Sequence, residues 1–137
     1  MSTHVKDSAQ VVKDLYASFA KQDIERARSL LSDDVQWLQC DGFPDGGQHH
    51  GIDNVIEKVF RGLHDGWQDF TANISQIIDA GDHVIVLGKY TGTHSVTGKS
   101  MKSVFANVFD IRNGKVTRFR QYADTAPMVL AMRLDDI

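Results

Sequence analysis

The sequence predicts an α+β domain in which three N-terminal helices pack on a curved, mostly antiparallel sheet around an internal pocket. Three observations support this fold. Apolar side chains recur every three or four residues in the first half of the chain, strand-forming residues dominate the second half, and short turns separate the strand-like segments. Helices followed by successive hairpins are typical of an α+β arrangement rather than a βαβ one.

The length and composition fit one domain covering residues 1–137. A chain of 137 residues can bury a core without disulfides or metals, and it is too short for two ordinary domains. We expect a cytoplasmic protein for three reasons. The amino terminus lacks the apolar run of a signal peptide, no segment is long enough to cross a membrane, and Cys40 is the only cysteine.

Charge and histidine spacing exclude several classes of partner. The net charge is −3 and no cluster of Lys and Arg is present, so we expect neither nucleic acid nor a membrane surface as a partner. His49 and His50 are adjacent in a loop, and no pair of histidines has the spacing of a helix-borne zinc site. We therefore expect no metal and no cofactor.

The helical part begins with an apolar stripe over residues 5–20, which predicts an amphipathic first helix. Asp23 is a suitable N-cap for a short second helix that would carry Leu30 and Leu31 on its inner face. A third helix is predicted from about residue 52 to about residue 63, where apolar residues again recur at helical spacing.

The strands are predicted from alternation and turn signals. Val35, Trp37 and Gln39 alternate with other residues, which places them on one face of a first strand. Residues 41–51 are rich in glycine and are predicted to form a loop. Four further strands are predicted at 70–78, 83–94, 99–111 and 115–124, the last two joined by an Asn-Gly turn at 113–114.

Two predicted strand segments, 84–87 and 104–109, are apolar on both faces. Because an antiparallel sheet with one wet face should alternate, both faces should be covered. The helices can cover only one face, so we expect a homodimer joined through the outer face. The alternative is that residues 127–134 fold back over that face.

Three motifs resemble those of one family. They are the Leu-Leu-x-Asp-Asp-Val-x-Trp run at 30–37, the Gly-x-Asp-x-Val helix start at 51–55, and the Phe-Arg-Gln-Tyr-Ala-Asp-Thr strand at 119–125. From about residue 8 to 132 the chain resembles the SnoaL-like proteins of the nuclear-transport-factor-two-like superfamily, which includes ketosteroid isomerases and limonene epoxide hydrolases. The resemblance implies a cone-shaped α+β barrel with an apolar cavity and usually a dimer, whereas activity varies within the fold.

Asp124 is the candidate catalytic residue. It follows Tyr122 and Ala123 at the end of the last strand, and an apolar setting makes a carboxyl group a useful proton carrier. Its position resembles that of the acid/base aspartate in SnoaL-type cyclases and limonene epoxide hydrolase. Alternatively, Asp124 caps a C-terminal helix that starts at Ala126 or Pro127.

The polar pairs of epoxide hydrolases do not carry over. The resemblance implies a Tyr-x-Asn pair and an Arg-x-Asp pair, and the matching positions are Trp37-x-Gln39 and Lys89-x-Thr91. The middle carboxylate is therefore missing, which argues against epoxide hydrolysis.

Comparison with ketosteroid isomerase implies four substrate contacts. The position of its base falls at Gln39, with Asp41 two residues beyond, and Gln39 cannot act as a base. The position of its tyrosine falls beside Tyr16, and that of its second acid falls at Asn107, whose amide could donate to a substrate oxygen. Aromatic residues would complete the pocket, with Trp37 and Phe105 in its wall and Phe43 at its mouth.

Three functions are compatible with these residues. The first is a cofactor-independent enzyme of the isomerase, cyclase or hydrolase type that transfers protons on a small hydrophobic, oxygenated molecule. The second is a non-catalytic protein that binds such a molecule, and the third is a dimerisation domain with a vestigial pocket. Two cavity carboxylates would favour the enzyme, a cavity of amides and aromatic groups would favour the binding protein, and a filled cavity would favour the third.

Overall fold

The computed structural model describes residues 7–134, which form helices packed on one six-stranded sheet. The helices are α1 (Ser8–Lys21), α2 (Ile24–Ser29), α3 (Ile52–Asn54), α4 (Arg61–Gly66) and α5 (Ala126–Met132), and a π-helical segment, Val55–Phe60, joins α3 to α4. The strands are β1 (Leu31–Gln39), β2 (Gly47–His50), β3 (Trp67–Ala80), β4 (His83–His94), β5 (Ser100–Arg112) and β6 (Lys115–Ala123).

Short polar side chains fix the starts of the first two helices. The Asp7 carboxylate accepts a hydrogen bond from the Gln10 amide at 2.7 Å, and that of Asp23 accepts one from the Arg26 amide at 3.1 Å. Gln22, at the end of α1, adopts a left-handed conformation with φ of 56° and separates the two helices. The predicted cap at Asp23 is confirmed, whereas residues 5 and 6 of the predicted first helix lie outside the described residues.

The strand order is β2-β1-β6-β5-β4-β3, so β2 and β3 are the two edges and the sheet does not close into a barrel. Only β1 and β6 run parallel, and every other pair is antiparallel. The predicted α+β class, with helices on a curved and mostly antiparallel sheet, is confirmed.

Two predicted boundaries are wrong near the first strand. Leu31 begins β1 instead of belonging to the second helix, because the Val116 amide donates to the carbonyl of Leu30 and draws this segment into the sheet. Residues 47–50 form β2 instead of loop, because they pair with β1 in the register Trp37 to His49 and Leu38 to Gln48. Pairing with a neighbouring strand overrides a local composition that favours turns.

The two faces of the sheet differ in exposure. The inner face packs against the helices and buries Phe105, Phe109 and Phe119. On the outer face, Val104 is 58% exposed and Tyr122 is 54% exposed, and Ile78 of β3, opposite Ile85, is also exposed. The segment at 127–134 does not cover these residues in the described part of the chain, because α5 buries Met128 and Ala131 against the core instead.

No helix within residues 7–134 is both long and apolar enough to cross a membrane.

Candidate functional site

The concave face of the sheet and the helices line a cavity of about 50 Å³. Its wall is mainly aromatic, and its hydrogen-bonding groups are two phenols, three amides and one indole N–H, without a carboxylate, imidazole or amine among the described residues that line it. The aromatic residues are Tyr16, Phe19, Trp37, Phe60, Phe70, Tyr90, Phe109 and Phe119, and the amides belong to Gln39, Asn107 and Gln121.

Strand alternation and register bring these side chains together. Trp37 in β1 lies opposite Phe119 in β6, and their rings stack with centroids 3.9 Å apart. Two residues further along β6, Gln121 lies opposite Asn107 in β5. Because alternate residues of a strand share a face, Gln39 also points inward beside Trp37.

The Gln39 amide has a defined orientation. Trp37 Nε1 donates to Gln39 Oε1 at 2.9 Å, and an indole nitrogen can only donate. The Nε2 group of Gln39 therefore points away from Trp37, and it is buried without a hydrogen-bond partner among the described residues. A buried amide without a partner is costly, so a ligand oxygen at this point would stabilise the site.

A second polar cluster centres on the Tyr90 hydroxyl. The Oε1 atom of Gln121 accepts a hydrogen bond from the Cys40 amide at 3.2 Å, which leaves Nε2 of Gln121 to donate to Tyr90 at 3.1 Å. Asn107 Nδ2 donates to the hydroxyls of Tyr90 at 2.8 Å and Tyr16 at 3.0 Å. Both phenols accept bonds in this arrangement, so their own O–H groups are available to a ligand.

The cluster offers more donors than acceptors. In this orientation of the Asn107 amide, its buried Oδ1 has no partner within residues 7–134, while Gln39 Nε2 and the hydroxyls of Tyr16 and Tyr90 have protons to donate. If the amide turned over, Oδ1 would accept both phenolic protons and Nδ2 would become a free donor. In either orientation the unused groups are mainly donors, so the complementary ligand group is an oxygen acceptor such as a carbonyl.

Burial keeps both phenols neutral. It raises the pKa of Tyr90 to about 12, although hydrogen bonds from Asn107 and Gln121 act in the opposite direction. It also raises the pKa of Tyr16 well above its ordinary value. Burial likewise raises the pKa of the Cys40 thiol, whose Sγ lies 3.2 Å from Gln121 Oε1. Both tyrosines are therefore O–H donors at neutral pH.

Four of the residues that the sequence suggested lie together in the cavity wall: Tyr16, Trp37, Gln39 and Asn107. Phe105 does not line the cavity; it stacks behind Tyr90 with ring centroids 4.2 Å apart. Phe43 is not at an open mouth, because it is 3% exposed and packs against Tyr90 and Phe70. Both phenylalanines support the cavity wall from behind.

Neither suggested aspartate lies in the wall. Asp41 is exposed just beyond β1. Asp124 is exposed, and its Oδ1 accepts a hydrogen bond from the Ala126 amide at 3.3 Å at the start of α5. Alternation along β6 explains this placement, because Gln121 is buried and Tyr122 and Asp124 face outward. Asp124 thus lies just before the start of α5, but Thr125, and not Asp124, occupies the N-cap position.

Two polar residues of the site, Tyr90 and Gln121, were not suggested by the sequence analysis. The signal for both is strand alternation. Gln121 is two residues from the inward-facing Phe119, and Tyr90 falls in phase with Val84 and Val86 of β4. A glutamine or tyrosine in phase with the buried residues of a strand indicates a polar group that faces the core.

A surface groove of about 500 Å³ between α1 and β3 adjoins the cavity. The two spaces share four wall residues: Tyr16, Phe19, Phe70 and Ala72. The groove is more polar than the cavity, and its wall includes Gln22, His64, Gln68 and Asp69. Within residues 7–134, no three or more His, Cys, Asp or Glu side chains are grouped so that they could hold a metal ion.

Solved structures with this architecture are similar over nearly the whole chain. A nuclear-transport-factor-two-like protein from Burkholderia thailandensis is 33% identical, with a TM-score of 0.88 over 93% of this chain and 98% of that one. TerC, co-crystallised with polyporic acid, is 25% identical, with a TM-score of 0.78 over 89% of this chain and 95% of that one. IdmH, a putative polyketide cyclase from Streptomyces antibioticus, is 21% identical, with a TM-score of 0.75 over 90% and 96% of the two chains, which shows the fold alone.

No significant match is found among curated protein sequences. The family model of the SnoaL-like domain matches residues 12–119, a span that includes β1 to β5, the helices that enclose the cavity and most of β6. Together with the structural similarity, this match shows that the chain belongs to the SnoaL-like domain family, with a nuclear-transport-factor-two-like fold.

Proposed function

We propose that this protein binds a small, flat, mostly apolar molecule through a carbonyl-type oxygen. The observation that carries the proposal is the set of uncharged donors in an aromatic wall, namely Gln39 Nε2 and the hydroxyls of Tyr16 and Tyr90. Aromatic walls with a few placed polar groups are typical of small-molecule sites. A flat ketone would stack on the rings and give its oxygen to the donors.

The absence of charge in the described wall favours binding over acid–base catalysis. An aspartate base within the wall was the first hypothesis from the sequence, and Asp124 is exposed at the start of α5 instead. The cavity of amides and aromatic groups matches the second hypothesis, a binding protein. The cavity volume of about 50 Å³ is small. With the wall closed, this volume matches the third hypothesis, a dimerisation domain with a vestigial pocket.

The test is a matched pair of ligands, 2-acetylnaphthalene and 2-ethylnaphthalene, titrated while tryptophan fluorescence is recorded. The ketone should bind roughly three- to tenfold more tightly than the hydrocarbon, the worth of one net hydrogen bond. Gln39→Met should remove most of this preference, and Gln48→Met, at an exposed position of β2, should keep it. Equal affinity for the two ligands, or no binding of either, would contradict the proposal.

A second candidate function is enolate stabilisation in an isomerase- or cyclase-type reaction. It is favoured by the two phenols that share the Asn107 amide, because two neighbouring O–H donors can hold a developing oxyanion. IdmH, which has the same fold, is a putative polyketide cyclase. The described titratable groups that could accept the substrate proton, His64 and Asp69, lie in the adjoining groove.

This second function predicts exchange of the α-hydrogens of 2-acetylnaphthalene with deuterium in D₂O, followed by NMR. Exchange should be faster with protein than without it, and Tyr90→Phe should slow it by roughly tenfold or more, because a lost oxyanion donor costs rate. Binding without any acceleration of exchange would leave the binding function and reject catalysis.

A further inference from the structure

The cavity is too small for the ligand that its wall suits. A cavity of about 50 Å³ holds a few water molecules, since one water needs roughly 10–15 Å³, and benzene binds in an engineered protein cavity of about 150 Å³. The adjoining groove has about 500 Å³, within the range of roughly 300–1,000 Å³ typical of ligand pockets. A ring bound at the donors would therefore have to extend into the groove.

The residues shared by the cavity and the groove are the least buried part of the cavity wall. Phe19 and Phe70 line both spaces and meet edge to face, with ring centroids 6.1 Å apart. Both are partly exposed, whereas the cavity aromatics Trp37, Phe109 and Phe119 are at most 5% exposed. Moving either partly exposed ring would join the two spaces without opening the core.

The backbone next to Phe70 also permits movement. The pairing of β3 with β4 is interrupted between Gln68 and Thr71, so Phe70 lies in a bulge outside the regular ladder. Asp69, within the same bulge, has a φ of 54°, in the left-handed region. A bulge disrupts the ladder locally, and this irregularity distinguishes the Phe70 segment from the regularly paired part of β3.

We propose that the groove is a second subsite, which receives the outer part of the ligand once the Phe19–Phe70 pair separates. This inference rests on the proposed function, because the inner part of the same ligand would lie at Gln39. Asp69 is the one carboxylate among the described groove residues. The outer part is therefore a neutral or basic group and not a carboxylate, so the ligand is a flat ketone of two or more rings that ends in such a group.

The first test fills the groove. Ala20 is exposed on α1 and lines the groove, whereas Ala17 is exposed on the same helix and lines neither space. The probe is the neutral fluorescent ketone 6-propionyl-2-(dimethylamino)naphthalene. Ala20→Phe should weaken its binding by about tenfold or more, and Ala17→Phe should change it less than about twofold, with thermal melts confirming that both variants fold.

Three outcomes would overturn the subsite. If both variants bind the probe as the wild type does, while Gln39→Met weakens binding, the groove is not a subsite and the proposed function stands. If Ala17→Phe weakens binding as much as Ala20→Phe does, the effect belongs to α1 and not to the groove. If the wild type binds no probe, the subsite and the proposed function both fail.

The second test measures charge selectivity with 6-acetyl-2-naphthoate and its methyl ester, which share the same ring system and differ in charge and by one methyl group. Asp69→Asn should tighten binding of the carboxylate by roughly three- to tenfold at low salt and leave binding of the ester unchanged, because it removes a like charge. Asparagine tolerates the left-handed backbone at this position, so the variant should fold. No gain for the carboxylate would overturn the placement of the outer group beside Asp69.

Discussion

Trp37 Nε1 donates a hydrogen bond to Gln39 Oε1 at 2.9 Å, and this contact determines which end of the Gln39 amide is left for a ligand. Because the indole can only donate, the glutamine must accept with its oxygen and present its N–H groups. Two residues on the same face of β1 therefore give the cavity a donor. The preference for an oxygen-bearing ligand follows from this pair.

Gln39→Glu should keep the bond from Trp37 and replace the free amide with a buried carboxyl group. Burial should raise the pKa of that group above its unfolded value of about 4.3. A carboxyl group whose pKa is raised by folding does not lower the free energy of unfolding at low pH. It lowers that free energy as pH rises through the folded pKa. The variant should lose roughly 1–3 kcal/mol of unfolding free energy at pH 8 and much less at pH 4.

Chemical denaturation of the wild type and this variant at both pH values checks the prediction. Gln48→Glu is the matched control, because Gln48 is exposed in β2 and its new charge stays in water. A loss of stability at position 39 that does not depend on pH would mean that the new carboxyl group reaches solvent.

Tyr90→Phe should destabilise the protein, because the phenol oxygen accepts bonds from both Gln121 and Asn107. The expected cost is roughly 1–3 kcal/mol at neutral pH, since two buried amide groups lose an acceptor. The control is Tyr122→Phe, on the exposed outer face, which should cost little. Equal melting temperatures for the two variants would contradict the assigned network.

The raised pKa of Tyr90 also predicts sensitivity to alkali. Its folded pKa of about 12 lies above the ordinary value of 10.0. The contribution of the neutral Tyr90 phenol to the free energy of unfolding is complete below about pH 10 and is lost as pH rises to about 12. Unfolding free energy measured across this window should fall more steeply for the wild type than for Tyr90→Phe. Identical slopes would mean that this phenol is not buried as a neutral donor.

Asp124→Asn should change little, and Asp124→Ala should cost about 0.5–1 kcal/mol, the net worth of one hydrogen bond. The carboxylate is exposed and bonds the Ala126 amide at the start of α5, a role that asparagine can keep and alanine cannot. Binding of 2-acetylnaphthalene should be unaffected in both variants. Thermal melts and ligand titrations check this, and a selective loss of turnover on any substrate in Asp124→Asn would restore the acid/base hypothesis.

We propose that two copies of the chain associate through the outer sheet face, where Val104 and Tyr122 are more than half exposed and Ile78 is also exposed. Val104→Asp should give a monomer, because burying an unpaired charge in an apolar interface is unfavourable. Val96→Asp is the control, since Val96 is 74% exposed in the turn between β4 and β5. Light scattering at micromolar concentration gives the molar mass of each variant and of the wild type. A monomeric wild type would contradict the proposal.

The sequence by itself determined the fold class and the inward face of β1. Strand alternation was enough to place Trp37 and Gln39 on one buried side, and helix caps such as Asp23 could be identified from local chemistry. These features depend on neighbours within a few residues, so local pattern carries them. The comparison with ketosteroid isomerase added Tyr16 and Asn107. In the structure, Nδ2 of Asn107 lies 3.0 Å from the hydroxyl oxygen of Tyr16.

Only the tertiary structure decided the polar network and the position of Asp124. Tyr90 and Gln121 meet across the sheet although 31 residues separate them, and no local pattern encodes that distance. Asp124 follows aromatic and apolar residues in the sequence, but the turn from β6 into α5 leaves its side chain exposed. Which polar groups converge is set by strand register and by the order β1-β6-β5-β4, because hydrogen bonding between strands, and not sequence proximity, fixes the neighbours.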